Sequence, residues 1–197
     1  MTQNFKSLAI VAFTVATAQA ATITLDTAAF IDDSEGNPIT KGSGIVSIGT
    51  YNAFPALGVM PTNSQVIDPY QELGFGAFDT TFELDGFFRF SLDVTIPNSF
   101  NNRDIYVVLG DGDSLAASSS LLVWRPTANA DGNVFIEDNP LGGPGSIVLD
   151  NTTGDLLLGS FNSGRFTMAA VTAVPEPSSI ALAGLALFAL TGRRSRK

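Results

Sequence analysis

The chain has 197 residues, with 10 basic and 19 acidic side chains for a net charge of −9 at pH 7, and it contains neither histidine nor cysteine. Lacking both, it can build no Cys or His zinc site, no thiol nucleophile, no disulfide and no Ser-His-Asp triad. Residues 21–174 hold five basic residues against 18 acidic ones, a net of −13, and such a surface repels nucleic-acid phosphates and anionic lipid, so no nucleic-acid partner is expected.

Residues 1–20 read as a signal peptide. Lys6 supplies a charged n-region, Leu8 to Val15 an apolar h-region, and Ala18-Gln19-Ala20 a small-residue cleavage site. Cleavage is expected between Ala20 and Ala21. An uncleaved anchor is the alternative, since Ser7 to Leu25 is uncharged, although Thr14, Thr17 and Gln19 suit a lipid-facing helix poorly.

Residues 21–173 are enough chain for one domain with an ordinary core. Apolar residues there alternate with polar ones at period two, broken by Gly, Asn, Asp and Pro clusters, the pattern of half-buried strands and their turns. Strands are expected over Ala21 to Leu25 and Gly44 to Tyr51, and then a long Gly/Pro/Asn-rich surface loop from Tyr51 to Gln65. The clearest strand runs from Phe88 to Ile96, with Phe88, Phe90, Leu92, Val94 and Ile96 on one face and Arg89, Ser91, Asp93 and Thr95 on the other. Before it, Phe78 to Leu84 alternates in the same way and Asp85-Gly86 intervenes, which predicts a hairpin. A three-residue loop with Gly86 in the left-handed region sets Phe82 opposite Phe88 and Phe78 opposite Leu92.

Further strands are expected at Asp104 to Leu109, Ser120 to Arg125, Val134 to Glu137, Ser146 to Leu149, Asp155 to Phe161 and Arg165 to Val174. Ile105 to Leu109 and Leu121 to Trp124 are apolar on both faces, which places them centrally in a sheet. About ten short strands without a long amphipathic helix predict an all-β fold, an antiparallel β-sandwich of jelly-roll type.

Three kinds of chemistry are open to this domain. Asp111 and Asp113 lie two residues apart in a glycine-flexed loop and could serve calcium, although Leu115 stands where a third ligand would fall and the loop is not an EF-hand. The plain reading is a solvated turn; Asp131-Gly132-Asn133 and Asp150-Asn151 are weaker versions of it. Tyr51 and Tyr70 flank the long loop and are the carbohydrate-stacking candidates, whereas Trp124 and Tyr106 sit in strands expected to be buried. A glycosidase would need two carboxylates about 5–10 Å apart, and the sequence singles out no pair. Ser118 to Ser120 have no histidine to activate them, and Lys41, the only lysine of residues 21–174, lies in a Gly/Ser stretch.

The C-terminal segment 174–197 has three parts in order. Val174, Pro175, Glu176 and Pro177 lead into two serines, Ile180 to Gly192 form an apolar helical run, and Arg193-Arg194-Ser195-Arg196-Lys197 close it. Proline fixes φ and lacks an N–H, so it suits the first turn of a helix. From Pro177 to Gly192 the helix would reach roughly 24 Å, against a hydrocarbon core of about 30 Å, and could span with local thinning and snorkelling of the arginines. The basic end then stays cytoplasmic and the domain lies outside.

This arrangement resembles the PEP-CTERM sorting signal of Gram-negative bacteria, in which a Pro-Glu-Pro motif, a transmembrane stretch and an arginine-rich end succeed one another. The resemblance implies an exosortase, a membrane transpeptidase-like enzyme, as partner, with processing near Pro175 to Pro177, and it is associated with bacteria that make exopolysaccharide. Val174 to Pro177 are then a recognition site for another enzyme. A simple C-terminal membrane anchor is the alternative. The expectation is an exported surface or matrix protein, non-enzymatic, structural or adhesive within an exopolysaccharide layer and needing no cofactor. A carbohydrate-binding module is the second reading and a carboxylate-dependent glycosidase the third.

Overall fold

The computed structural model of the chain describes residues 20–78, 84–127, 134–135 and 145–172. The signal segment 1–19, the hairpin residues 79–83, the turn 131–133 and the tail 173–197 with its expected membrane helix lie outside them. Among the described residues no helix is long and apolar enough to cross a membrane. The strands in chain order are β1 (Ala20–Thr27), β2 (Phe30–Asp32), β3 (Ile45–Tyr51), β4 (Tyr70–Ala77), β5 (Arg89–Thr95), β6 (Tyr106–Gly110), β7 (Ser120–Pro126), β8 (Ser146–Leu149), β9 (Gly154–Leu158), β10 (Ser160–Asn162), β11 (Arg165–Thr167) and β12 (Ala169–Ala170). Among the described residues one short helix, α1 (Asn63–Ile67), and a 3-10 turn at Asn98–Phe100 complete them.

Most expected strands stand within a residue or two of where the alternation puts them. Two are split. Asp155 to Phe161 breaks at Gly159, whose φ of 108° is open to glycine, and Arg165 to Val174 becomes β11 and β12. Strand β4 escapes the alternation pattern, because Tyr-Gln-Glu-Leu-Gly-Phe-Gly-Ala replaces apolar side chains with glycine on the face it buries. Helix α1 is too short to show a period, although its capping box is local: Thr62 Oγ1 accepts from Gln65 N at 3.2 Å, and Thr62 N donates to Gln65 Oε1 at 2.9 Å.

The largest sheet is antiparallel throughout, in the order β12-β7-β6-β3-β4, with β9 paired beside β12 on the same edge of β7. Two three-stranded sheets, β5-β1-β8 and β10-β11-β2, accompany it. Here the expectation of an antiparallel architecture needs correcting, because β1 pairs with β8 and β2 with β11 in parallel. Each parallel pair joins segments more than a hundred residues apart, long enough for the chain to return in the same direction.

The strand with the clearest sequence signal keeps its alternation: along β5 the residues run exposed, half-buried, exposed. Its described partner is β1, with Phe90 opposite Leu25 and Leu92 opposite Ile23. Of the expected hairpin pairs, Phe82 opposite Phe88 involves a residue outside those described, and Leu92, expected opposite Phe78, has Ile23 as its described ladder partner. Gly86 does take the left-handed conformation, φ 80°. Its turn is tied to the segment after β1, where Ile31 N donates to Gly86 O and Gly86 N to Ile39 O, at 2.9 and 2.7 Å.

Both faces of the large sheet are covered, which is why its middle strands are apolar on both sides. On the inner face Val46, Ile48, Val107, Leu109, Leu122 and Trp124 share one core with Ile23 and Leu25 of β1 and Ile147 and Leu149 of β8. Each such side chain contributes about 1.5–3 kcal/mol on burial. Gly74 and Gly76 of β4 leave room there for Leu92, Val94 and the Phe90 ring. On the outer face Tyr51, Tyr106, Val108, Leu121 and Val123 form a second core, roofed by Val66 of α1, Leu115, Phe54 and Leu57. The segment expected as a surface loop is therefore partly a lid: Val59 and Met60 lie exposed, while Phe54 and Leu57 pack down.

Candidate functional site

The loop between β6 and β7 holds the two carboxylates considered for calcium. Asp111 is committed to the loop itself: Oδ1 accepts from Ser119 N and Ser120 N at 2.8 and 3.0 Å, and Oδ2 accepts from Ser119 Oγ at 2.7 Å. Asp113 is exposed. Among the described residues there is no group of three or more acidic side chains that could hold a metal ion. The neighbouring serines are equally engaged. Ser118 Oγ donates to Ser114 O at 2.8 Å and accepts from Gly112 N at 3.1 Å, and Ser120 Oγ donates to Ser34 Oγ at 2.8 Å. These bonds close a short loop, with Asp111 accepting from the serine donors at its neck.

The two tyrosines proposed as carbohydrate candidates come together. Tyr51, ending β3, and Tyr70, starting β4, are opposite one another in the ladder, with ring centroids 5.1 Å apart. Tyr106 and Phe54 meet the Tyr51 ring edge to face, at 4.9 and 5.1 Å. A stacking role calls for exposed ring faces. Tyr51 instead is 4% exposed, because the loop after it folds back over the outer face of the sheet. Burial, and then the nearby Tyr106, push its phenol pKa up, so it stays a neutral hydroxyl. Burial likewise holds Tyr70 well above the usual range, while a hydrogen bond with Ser47 Oγ at 3.1 Å pulls the other way. Ser47 Oγ in turn donates to Glu72 Oε2 at 2.9 Å. Trp124 is buried as expected, with its indole N–H donating to Asp150 O at 3.1 Å.

Two clefts flank this aromatic cluster. One, of about 510 Å³, is lined by Tyr51, Asn52, Asn102, Arg103, Asp104 and Tyr106, from the end of β3 and the approach to β6. Arg103 Nη1 donates to Asn52 Oδ1, and Asp104 lies 3.5 Å from Arg125 Nη1. The other, of about 340 Å³, brings Tyr70, Glu72 and Phe75 of β4 against Asp113 and Leu115 of the acidic loop. It joins one residue considered for sugar with one considered for calcium. α1 fixes its far wall, since Asn63 Nδ2 donates to Leu115 O and Ser118 O at 2.8 and 2.9 Å. Sequence reasoning missed Asn52, Arg103 and Phe75. Phe75, 58% exposed, carried a signal as an aromatic residue between two glycines; Asn52 and Arg103 carried none, because they are brought together across 51 residues.

The addressing signal is carried by residues outside those described. A model of the PEP-CTERM protein-sorting motif matches residues 173–197. The tail is a PEP-CTERM sorting motif. A PEP-CTERM tail marks an exported protein that an exosortase sorts in Gram-negative bacteria, and the match covers Val174, Pro175, Glu176 and Pro177. No curated protein matches the chain. Among solved structures it is similar to the dioxygenase domain of a dioxygenase carbohydrate-binding protein fusion from the cellulolytic bacterium Streptomyces sp. SirexAA-E. Identity is 13%, with 82% of this chain and 85% of that one covered at a TM-score of 0.28. At that TM-score the likeness carries neither fold nor activity to this PEP-CTERM protein.

Proposed function

We propose that this is a non-enzymatic surface or matrix protein, held outside the cell by its PEP-CTERM tail until exosortase cuts near Pro175 to Pro177, and acting structurally or adhesively in an exopolysaccharide layer. The single observation that carries the reading is the sorting motif at 173–197. In this reading residues 1–20 are removed on export, Ile180 to Gly192 span the inner membrane before processing, and the domain is a β-sandwich of jelly-roll type modified by its two parallel pairings. The two cores on either face of the large sheet support that architecture. The test is to express the full chain with and without a functional exosortase and weigh the exported product. Loss of the tail with exosortase, and its retention when Pro175, Glu176 and Pro177 are all changed to Ala, is expected. An identical mass in both hosts would sink the reading.

A second reading, a carbohydrate-binding module, is supported by the clefts that adjoin the Tyr51 and Tyr70 rings. Its test is co-sedimentation of the full-length chain with the host's own exopolysaccharide at matched ionic strength, with calcium and with chelator. Saturable pelleting is expected; pelleting that never saturates, or none, counts against it.

A further inference from the structure

Tyr51, a wall residue of the cleft at the end of β3, carries a buried polar atom that the described residues leave unanswered. Among the described residues Tyr51 Oη has no hydrogen-bond partner, although the residue is only 4% exposed and lines the cleft. Leaving a buried hydroxyl unpartnered costs about 1–3 kcal/mol, and native proteins rarely carry such a group unless something outside the chain answers it. The rest of the wall is polar. Asn52 and Asn102 supply amides, and Arg103 and Asp104 one charge of each sign, so the lining is close to neutral within a domain of net −13.

The wall is also held in place. Asn102 takes the left-handed conformation, φ 59°, which asparagine tolerates. Its N–H donates to Phe135 O at 2.8 Å, and Phe135 N–H donates to Arg103 O at 3.0 Å. From the opposite side Thr50 Oγ1 donates to Asp104 O at 2.9 Å. Residues 102–104 are thereby fixed to both β3 and the Phe135 segment. A volume of about 510 Å³ lies in the range of small-ligand sites.

Amides, a hydroxyl and one side chain of each charge suit a ligand rich in hydroxyl groups, each of which both donates and accepts. An anionic ligand would meet the negative field of the whole domain. We propose that this cleft binds a neutral sugar residue of an uncharged glycan, with Tyr51 Oη as its buried hydrogen-bond anchor and Asn52, Asn102, Arg103 and Asp104 as its polar rim. The proposal rests on the carbohydrate-binding reading and narrows it to one site and one ligand class.

The test uses the full-length chain, calorimetric titration with cellotetraose, maltotetraose and a tetra-uronate, and Tyr51→Phe and Asp104→Asn variants, with thermal unfolding measured alongside. Tyr51→Phe removes one oxygen and keeps the ring. The expected result is binding of a neutral tetrasaccharide, a Kd raised about tenfold in Tyr51→Phe, and an unfolding midpoint equal to or above the parent's. Neutral binding that both variants leave unchanged would overturn the cleft while the carbohydrate reading stands. Binding of the uronate alone would overturn the ligand class. A lowered midpoint in Tyr51→Phe would mean that the hydroxyl already has a structural partner, and would overturn the anchor. No binding of any probe would remove the carbohydrate reading and this site with it.

Discussion

Arg165 grips Asp32 across 133 residues of chain, its Nε donating to Asp32 Oδ2 at 2.6 Å and its Nη2 to Asp32 Oδ1. The pair straddles the parallel ladder of β2 and β11, and the guanidinium also lies 4.6 Å above the centroid of the Phe30 ring. Asp32 is 4% exposed, so its carboxylate depends on that fork. Arg165→Ala leaves the charge buried and unpaired, and we expect a loss of about 2 kcal/mol, below the fully buried case because the arginine is partly solvated. Urea unfolding reads it, and Arg165→Lys should recover less than half, since a point charge cannot fork.

The β4–β5 contact depends on absent side chains. A Cβ at Gly76 would stand 2.8–2.9 Å from atoms of the Phe90 ring, closer than real contacts. Gly76→Ala is therefore expected to destabilise the fold by about 1–3 kcal/mol, while Gly36→Ala, with open space around it but φ 86°, costs about 1 kcal/mol from backbone strain alone. Thermal unfolding of the two variants separates overpacking from strain.

Asp111 holds the neck of the loop between β6 and β7 through three donors. Asp111→Ala should cost about 1–2 kcal/mol and raise hydrogen exchange at Ser119 and Ser120. Asp113→Ala should do neither. Adding millimolar calcium to the parent is expected to leave its unfolding midpoint in place, because Asp111 already accepts three serine donors and, among the described residues, no group of three acidic side chains surrounds a cation position. A rise with calcium that Asp111→Ala abolishes would reverse this assignment.

Stability should be flat near neutral pH and fall in acid. No side chain here is a histidine, the one residue whose ordinary pKa lies between about pH 5 and 8. Asp33 is held below its ordinary value: burial raises it, but Asn37, through backbone and side chain, and the N–H groups of Glu35 and Gly36 together lower it further. Asp150 is lowered by the Thr152 hydroxyl and N–H, both at 2.6 Å. A folded pKa below the unfolded one contributes stability above the unfolded value, about 4, that is lost as pH falls through the folded value. Urea midpoints should agree from about pH 6 to 8 and drop below about pH 4, less steeply in Asp150→Asn.

The expected signal cleavage falls at the first residues of β1. A cut between Ala20 and Ala21 forfeits the Ala20↔Thr95 pair and leaves Ala21↔Val94 through Asp26↔Arg89 in register. N-terminal sequencing of the exported protein should begin at Ala21. A start beyond Ile23 would strip a fully buried core residue and contradict the assignment.

What the sequence determined by itself is what neighbouring residues can encode. Alternation placed Phe88 to Ile96 with its faces correctly divided, two-sided apolarity put Ile105 to Leu109 and Leu121 to Trp124 in the middle of a sheet, and Gly86 announced its turn. The PEP-CTERM tail is linear and was legible as such, since another enzyme must read it along the chain. Period two, however, says which face of a strand is buried and never which strand lies beside it. Tertiary structure alone decided that β1 meets β8 and β2 meets β11 in parallel, which brings Arg165 to Asp32. It also decided that the loop after Tyr51 folds over the sheet, burying a ring expected to be exposed, and that Asn52 meets Arg103 in a cleft that Tyr51 also lines. The Asn52–Arg103 and Asp32–Arg165 contacts join residues 51 and 133 apart, where chain closure and packing, rather than local propensity, set the outcome.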